Sequence, residues 1–574
     1  MARAEATVEE LVSKIERGEL RLPEMQRRYV WRSTRVRDLL DSLYRGYPSG
    51  AILIWETDEP VPEQDFAVVQ QSNPYAKTQL LLDGQQRLTS LSAVIRGEPV
   101  QVNGRQRPIE LLFNLEHPDQ LSVISEVDDN TTDGIDDTVD IADDGEEPIE
   151  EEADASEDEL QKRFDRMTFV VATRKLEQLP QWVKVSEVFK TDSDGPFLER
   201  AGVEGFKDER YQKYSQRLAR LRGIRKYVYR MDVLERTLSY DEVTEIFVRV
   251  NSLGAKLRSS DLALAQITAK WRGSLQTFQS FQAACSKLGF EVDLGIHLKN
   301  LVAHATGQSR FLTVANLQLE QLQSGWDSSC QGMEFAINFL RSNTGITSPA
   351  LLASPFLLIC LGFYGAQRNY AITSDDANGL ARWVLLTNAK GRYSRGSSET
   401  LLDQDLKTIR DGGTHLELLD RLRTQVGRLD IAPEELEGRS QRSALFKTMF
   451  LAFQKADARD WHSNLAIALS HVGSAHQLQF HHIFPKALLK KSGFLTREID
   501  DIANLAFIGG KANRKISDKS PSNYIPELIA TNGEQAFTSQ CIPTNPALLT
   551  PEHYRAFLAD RRRLIVERLN AFLA

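Results

Sequence analysis

The sequence of 574 residues is too long for a single hydrophobic core, and we expect two to four domains. Its apolar fraction of 41% and charged fraction of 26% are typical of a soluble globular protein, and its four scattered cysteines argue against a disulfide framework and a thiolate zinc site. The first residues lack the apolar segment of a secretion signal, so we expect a cytoplasmic protein without a membrane partner.

Helices and strands alternate in the first third of the chain, which predicts an α/β or α+β domain. Residues 7–10 have the capping-box pattern of a first helix, and Ser33 is predicted to cap a second one. Apolar stretches at 51–55 and 79–82 predict two buried strands. The second strand leads into a predicted helix over 85–95.

An acidic segment interrupts this domain. Residues 126–159 contain 18 Asp or Glu and no Lys or Arg, and without them 61 acidic residues remain against 70 basic ones, a net charge of +9. A segment of this composition cannot bury enough apolar surface to fold, so we predict a disordered insertion over about 121–160. It is either a solvated loop or a mimic of DNA that covers the mildly basic remainder of the chain.

The later part of the chain is predicted to be mainly helical. We assign residues 1–270 to the first domain, 271–440 to a helical connecting domain and 441–574 to a third domain that ends in a closing helix. The apolar stretch 349–366 is short for a bilayer span and contains a proline and a glycine, so it is predicted to be a buried helix.

A phosphate site is predicted where the strand at 79–82 meets its helix. Backbone amides and the helix dipole at a helix start favour an anion, and Gly84 lets a phosphate come close to the backbone. Arg87 can bind the phosphate with a fork of donors, Gln85 and Gln86 can bond phosphate, ribose or water, and Asp83 can cap the helix or contact a metal. The alternative is that Asp83 only caps the helix and that Arg87 lies on a solvated face.

Two adjacent histidines, His481 and His482, precede Asn504 and Asn513 in the last part of the chain. Metal-assisted cleavage of a phosphodiester needs a base for water and a cation for the leaving oxygen, and a neutral imidazole is a suitable base. Neighbouring residues of a strand point to opposite faces, so only one histidine of the pair can act as the base. Two basic residues on the following helix, or just past it, could hold DNA phosphates: Lys515 and Lys519.

This order of residues resembles the active-site motif of HNH, or ββα-metal, nucleases. The resemblance implies that His482 is the general base, that His481 and Asn513 are metal ligands, and that Asn504 orients the base or braces the loop. Because an asparagine binds metal weakly, Mg²⁺ or Mn²⁺ is expected rather than zinc. The asparagine also leaves open a DNA-binding sensor or adaptor with NTPase activity whose nuclease site is degenerate.

Four further stretches resemble the GmrS-type domain of GmrSD-type modification-dependent restriction enzymes, which are related to the SspE nucleases of phage defence: 22–31, 46–50, 83–87 and 247–257. The family resemblance implies a ParB/sulfiredoxin-like NTPase fold followed by a GmrD-type HNH domain. It implies that residues 83–87 bind and hydrolyse GTP or ATP. The residues that would line the same pocket or sense DNA are Gln26, Arg27, Arg28, Arg249 and Asn251.

The whole resemblance predicts an antiphage DNA endonuclease or nickase. Its expected partners are NTP and double-stranded phage or host DNA that carries phosphorothioate or glucosylated hydroxymethylcytosine, and it is a possible homo-oligomer. Residues 391–395 also look family-like and are predicted to form a basic contact with DNA or between domains.

Overall fold

The computed structural model describes residues 2–26, 29–71, 79–102, 105–118, 164–253, 258–394, 396–471, 477–516 and 518–574. The described residues form two compact units, one that ends at Thr277 and one that runs from Phe278 to Ala574. The predicted acidic insertion lies outside the described residues. The three-domain division proposed from the sequence stays a prediction.

A mixed six-stranded sheet is the centre of the first unit. The strands of this unit are β1 Ala2–Thr7, β2 Leu20–Pro23, β3 Ile52–Glu56, β4 Glu63–Gln64, β5 Gln79–Asp83, β6 Val100–Val102, β7 Arg105–Arg107, β8 Leu111–Asn114, β9 Phe169–Val171, β10 Trp182–Lys184 and β11 Val228–Leu234. The strand order of the six-stranded sheet is β1-β11-β3-β5-β2-β4. The strands between β5 and β11 in the sequence form the pair β6-β7 and the three-stranded sheet β10-β8-β9.

Strand β3 is apolar along its length because both of its faces are buried. Ile52 and Ile54 belong to one core, and Leu53 and Trp55 belong to another core with Phe247. Alternate residues of a strand point to opposite sides, so a continuous apolar run is expected for a central strand. Burying each of these side chains contributes about 1.5–3 kcal/mol to folding.

Helices cover this sheet, and the first of them begins as predicted. The Thr7 hydroxyl accepts from the Glu10 amide, and the Glu10 carboxylate accepts from the Thr7 amide at 2.7 Å. The prediction for Ser33 is wrong, because Ser33 is the first residue of its helix, and among the described residues no side chain caps that end. The helices of this unit are α1 Val8–Glu16, α2 Ser33–Arg45, α3 Gln85–Arg96, α4 Val185–Lys190, α5 Gly195–Arg200, α6 Glu209–Arg222, α7 Tyr240–Leu253 and α8 Ser259–Lys270.

The second unit is mainly helical, and one apolar core extends from Cys285 to Leu573. The helices are α9 Ser274–Lys287, α10 Leu294–Thr306, α11 Leu319–Phe339, α12 Phe356–Ala366, α13 Ser374–Lys390, α14 Ser398–Arg410, α15 His415–Val426, α16 Ala444–Lys455, α17 Lys486–Lys491, α18 Thr496–Ile499, α19 Gly510–Ile516, α20 Pro521–Asn532, α21 Gln535–Thr538 and α22 Tyr554–Leu573.

Helix α12 is the buried helix predicted within 349–366, and all but its last residue are buried. It crosses α11 so closely that a β-carbon on Gly362 would lie 2.8 Å from the backbone of Gly332. Within the described residues, no helix is long and apolar enough to cross a membrane.

The prediction for residues 391–395 is wrong for Arg392, whose side chain is only 1% exposed. Its guanidinium donates to both oxygens of Asp405, at 2.7 and 2.8 Å, and the Tyr393 hydroxyl donates to the same carboxylate at 2.7 Å. Removing one partner of such a buried ion pair strongly destabilises the protein, because the other charge stays buried without a partner. Arg392 therefore links the end of α13 to α14 and does not reach DNA.

The mixed α/β class predicted for the N-terminal part is confirmed, as is the helical character of the chain that follows. The finer assignments to a ParB/sulfiredoxin-like fold and to an HNH domain stay predictions. The pairing of β1 with β11, which begins at Val228, has no counterpart among the strands predicted from the sequence.

Candidate active site

A hairpin and the following helix bring the motif residues of the last region together. Strand β12 Leu478–His482 pairs in antiparallel fashion with β13 Leu505–Gly509, and α19 begins directly after β13. His481 lies opposite Ala506 and His482 opposite Leu505. The two histidines therefore stand at the end of β12, with the start of β13 beside them.

Asn513 reaches His481 from α19. Nδ1 of His481 lies 2.8 Å from Oδ1 of Asn513. On its other side the Asn513 amide donates from Nδ2 to Oε1 of Gln479, at 2.7 Å. Burial lowers the pKa of His481 to about 4, so its imidazole is neutral near pH 7.

The geometry of His481 and Asn513 fits a divalent cation. Two donor atoms bound at right angles to one Mg²⁺ or Mn²⁺ ion, each at about 2.1 Å, lie about 3.0 Å apart. The observed separation of 2.8 Å between Nδ1 and Oδ1 is close to this value. A neutral imidazole and an amide oxygen are both suitable ligands for such an ion. Among the described residues, no three histidine, cysteine, aspartate or glutamate side chains are grouped as ligands of one metal ion.

His482 is held by a carboxylate that the sequence motif did not include. Nε2 of His482 lies 2.8 Å from Oδ1 of Asp500, and the Lys486 ammonium lies at the same distance from that oxygen. The hydrogen bond with His482 and the contact with Lys486 lower the pKa of Asp500 to about 2. Asp500 is therefore a carboxylate that only accepts, so Nε2 carries the proton and the lone pair of neutral His482 is on Nδ1.

Asn504 lies immediately before β13 and is fully buried. Its Oδ1 accepts from the Phe484 amide at 2.9 Å, and its Nδ2 donates to the carbonyls of Phe484 and Ile499 at 3.1 and 2.9 Å. These contacts fasten the chain that follows the two histidines to the turn that precedes β13. Of the two predicted roles, this geometry favours bracing the loop.

A buried carboxylate, Asp460, fixes the far end of the hairpin. Asp460 accepts from the Gly509 amide at 2.6 Å and from the His462 amide at 3.0 Å. Burial alone would raise the pKa of Asp460, but these backbone hydrogen bonds and those from Ser463 bring it below its usual value. No motif marked this residue, because its partners are backbone amides and the hydroxyl of Ser463.

The two predicted phosphate-contacting lysines follow Asn513. Lys515 belongs to α19, and its side chain lies outside the described atoms. Lys519 lies past the end of α19 and is exposed. Three more lysines of the neighbouring helix α17 are exposed or partly exposed: Lys486, Lys490 and Lys491.

The predicted phosphate site of the first unit is a strand end followed by a helix start. Gly84 lies between β5 and α3 with a φ of +105°, a conformation that glycine adopts without strain. Among the described residues, no side chain caps α3, so the alternative in which Asp83 caps the helix is wrong. Gln85 is buried and Asp83 is partly exposed.

Arg87 does not lie on a solvated face. Its side chain is 13% exposed and forms an ion pair with Asp83 at 3.0 Å. The guanidinium also donates to the carbonyl of Ala51, at 2.7 Å, and to that of Ser49. A β-carbon on Gly50 would lie 2.4 Å from Arg87, so only glycine lets the loop come this close. Arg87 thus attaches the loop before β3 to the start of α3.

The glutamines of this region also contact backbone atoms. Oε1 of Gln86 accepts from the amides of Val30 and Trp31, at 2.9 and 3.2 Å. Gln26 donates to the carbonyl of Leu81, at 3.2 Å, so the structure brings it to β5.

Of the remaining predicted pocket residues, Arg249 is the one whose side chain the structure describes. Arg249 is exposed on α7 and pairs with Glu245 of the same helix. Arg27 and Arg28 lie outside the described residues, as does the side chain of Asn251. Their predicted roles stay predictions.

Comparison with known proteins gives two matches. Residues 8–268 match the family model described as GmrSD restriction endonuclease, N-terminal domain, which covers nearly all of the first unit. The chain is also 24% identical over 564 residues to Uncharacterized protein MJ0686 of Methanocaldococcus jannaschii, an alignment that covers 91% of this chain and 86% of that protein. Residues 8–268 are therefore similar to the N-terminal domain of GmrSD restriction endonucleases, and this match covers less than half of the chain.

Proposed function

We propose that the protein is an antiphage DNA endonuclease or nickase that cuts DNA at an HNH-type site under the control of its N-terminal domain. The family model that residues 8–268 match points to a restriction endonuclease and to DNA as a partner. The single observation that supports the nuclease site is the contact between His481 and Asn513, with His482 held beside them by Asp500. Strands β12 and β13 and helix α19 bring His481 and Asn513 together, although these residues lie 32 positions apart in the sequence.

The chain's own residues would perform the proton transfer. Asp500 fixes the ring of His482, so Nδ1 can take a proton from an attacking water molecule. His481 and Asn513 would hold Mg²⁺ or Mn²⁺, which stabilises negative charge on the leaving oxygen. Exposed lysines on α17 and after α19 would hold the phosphates on either side of the cut.

Loss of the nuclease site tests this assignment directly. His482→Ala or Asn513→Ala should abolish cleavage of supercoiled plasmid in Mg²⁺ or Mn²⁺ and leave NTP hydrolysis intact. Continued cutting by a pure His482→Ala preparation would refute the assignment. A wild-type chain that binds DNA and hydrolyses NTP without cutting would instead indicate a sensor or adaptor with a degenerate site.

The N-terminal domain would bind and hydrolyse GTP or ATP at residues 83–87. The positive φ of Gly84, the dipole of α3 and the Arg87 guanidinium suit a phosphate at this helix start. Nucleotide phosphate would replace the Asp83 carboxylate as a partner of Arg87. Arg87→Ala should therefore remove NTP hydrolysis, whereas Arg96→Ala, at the other end of the same helix, should retain it. Unaltered turnover by Arg87→Ala would leave residues 83–87 with a structural role only.

The domain would also sense modified DNA, with phosphorothioate or glucosylated hydroxymethylcytosine as the candidate modifications. Cleavage and NTP hydrolysis measured together on unmodified, glucosylated and phosphorothioated DNA would identify the substrate. We expect both activities to depend on one modification. Equal cleavage of all three DNAs would contradict the sensing role and leave the nuclease assignment untouched.

A further inference from the structure

The orientation of the Asn513 amide decides whether the proposed metal site can form. An asparagine binds a cation through its carbonyl oxygen, and half a turn of the amide exchanges this oxygen with a nitrogen of similar size. Beside a neutral imidazole both orientations can form a hydrogen bond, because Nδ1 of His481 can donate to Oδ1 or accept from Nδ2. A partner outside this pair must therefore select the orientation.

Gln479 contacts the Asn513 amide on the side away from His481. Its Oε1 accepts from Nδ2 of Asn513 at 2.7 Å, while Oδ1 of Asn513 lies 2.8 Å from Nδ1 of His481. Gln479 precedes His481 by two residues on β12, so both side chains point to the same face of the hairpin. Pairing of Gln479 with Ile508 fixes its position along the strand.

We infer that Gln479 is a positioning residue of the proposed nuclease site: its side-chain oxygen turns the Asn513 amide so that the carbonyl oxygen faces the cation. The inference rests on the proposed function, since it concerns the same metal site. Gln479 acts through Asn513 and does not itself bind the cation. Partners that orient a metal ligand typically account for about 10–100-fold in metal affinity.

Substitution of Gln479 with methionine tests the inference, because methionine has a similar length and no strong acceptor. Binding of Mn²⁺ to the full-length chain is followed by electron paramagnetic resonance of the free ion. We expect Gln479→Met to weaken Mn²⁺ binding about 10–100-fold. The Mn²⁺ concentration for half-maximal cleavage should rise by the same factor. Gln477→Met is the matched control, since Gln477 is exposed and precedes Gln479 by two residues; it should bind Mn²⁺ as the wild type does.

Substitution with glutamate is the second arm. A carboxylate can only accept, so Gln479→Glu should keep the Asn513 amide in the same orientation and bind Mn²⁺ at least as tightly as the wild type. Gln477→Glu adds the same charge nearby without a contact to Asn513 and corrects for simple attraction of the cation. Weaker binding by Gln479→Glu would overturn the inference even if Gln479→Met failed to fold, as judged by circular dichroism.

The outcomes separate the inference from the proposed function. Wild-type Mn²⁺ affinity in Gln479→Met, together with lost binding in Asn513→Ala, would overturn the role of Gln479 and retain the metal site. Wild-type affinity in Asn513→Ala, or no Mn²⁺ binding by the wild-type chain, would overturn the metal site itself.

Discussion

At the scale of single residues, the candidate site depends on polar side chains that complete a recognisable motif. His481, His482 and Asn513 belong to a motif that can be recognised in the sequence, whereas Asp500 and Gln479 are not part of it. Each of the latter contacts one motif residue at 2.7–2.8 Å and limits which of its atoms faces outward. The motif identifies the groups that are proposed to react, and Asp500 and Gln479 orient them.

Asp500→Asn should lower the cleavage rate about 10–100-fold, as expected for loss of an orienting partner. An asparagine can donate to Nε2 of His482, and the imidazole proton then lies on Nδ1. Nδ1 therefore has no lone pair with which to accept a proton from water. Single-turnover cleavage measures the effect, with KM for DNA and NTP hydrolysis unchanged. Asp518→Asn, at an exposed acid five residues after Asn513 in the sequence, is the control. A wild-type rate in Asp500→Asn would exclude the orienting role.

At the scale of secondary-structure elements, local signals were predicted well and distant pairing was not. The capping box at residues 7–10 was predicted because both partners lie within one helical turn. Strand β1 was missed because its partner β11 lies more than 220 residues later in the chain. The connection between β12 and β13 belongs to the second kind, since Asn504 bonds Phe484, which lies 20 residues earlier in the chain.

Asn504→Ala should destabilise the second unit by about 3 kcal/mol, because three buried hydrogen bonds of about 1 kcal/mol each are lost and their backbone partners stay buried. Urea unfolding of the full-length chain measures this change. Cleavage should fall with the folded fraction and not beyond it. Full stability combined with lost cleavage would instead assign Asn504 a catalytic role.

At the scale of the whole molecule, charge makes DNA affinity depend on salt, and the burial of histidines makes stability depend on pH. Without residues 126–159 the rest of the chain carries a net charge of +9, so it can attract DNA. Deletion of these residues should raise DNA affinity in the absence of nucleotide, and more strongly at low salt, if the acidic segment competes with DNA. Fluorescence anisotropy with a labelled duplex measures the affinity. Unchanged affinity at every salt concentration would leave the segment as a solvated insertion.

Buried histidines make the second unit sensitive to acid. Burial lowers the pKa of His297 and of His304 to about 4, whereas an unfolded histidine has a pKa of about 6.5. Between these values the unfolded chain binds more protons than the folded chain, so stability is full above pH 6.5 and falls as the pH is lowered towards 4.

Each such histidine contributes a slope of up to about 1.4 kcal/mol per pH unit. His297→Phe should reduce the pH dependence of the free energy of unfolding by about this amount, measured by urea unfolding between pH 6.5 and 4.5. His553→Gln, at an exposed position, should leave the slope as in the wild type. An unchanged slope in His297→Phe would mean that this histidine is already protonated in the folded chain.

The sequence by itself determined the mixed class of the first unit, the start of α1, the burial of α12 and the order of His481, His482 and Asn513. These features depend on local periodicity, capping or motif order, which neighbouring residues carry. Only the tertiary structure decided that Arg392 is buried against Asp405, that Arg87 holds the loop before β3, and that Asp500 and Gln479 complete the candidate site. Those contacts join residues 13 to 38 positions apart, and no local pattern encodes which distant polar groups meet when the chain folds.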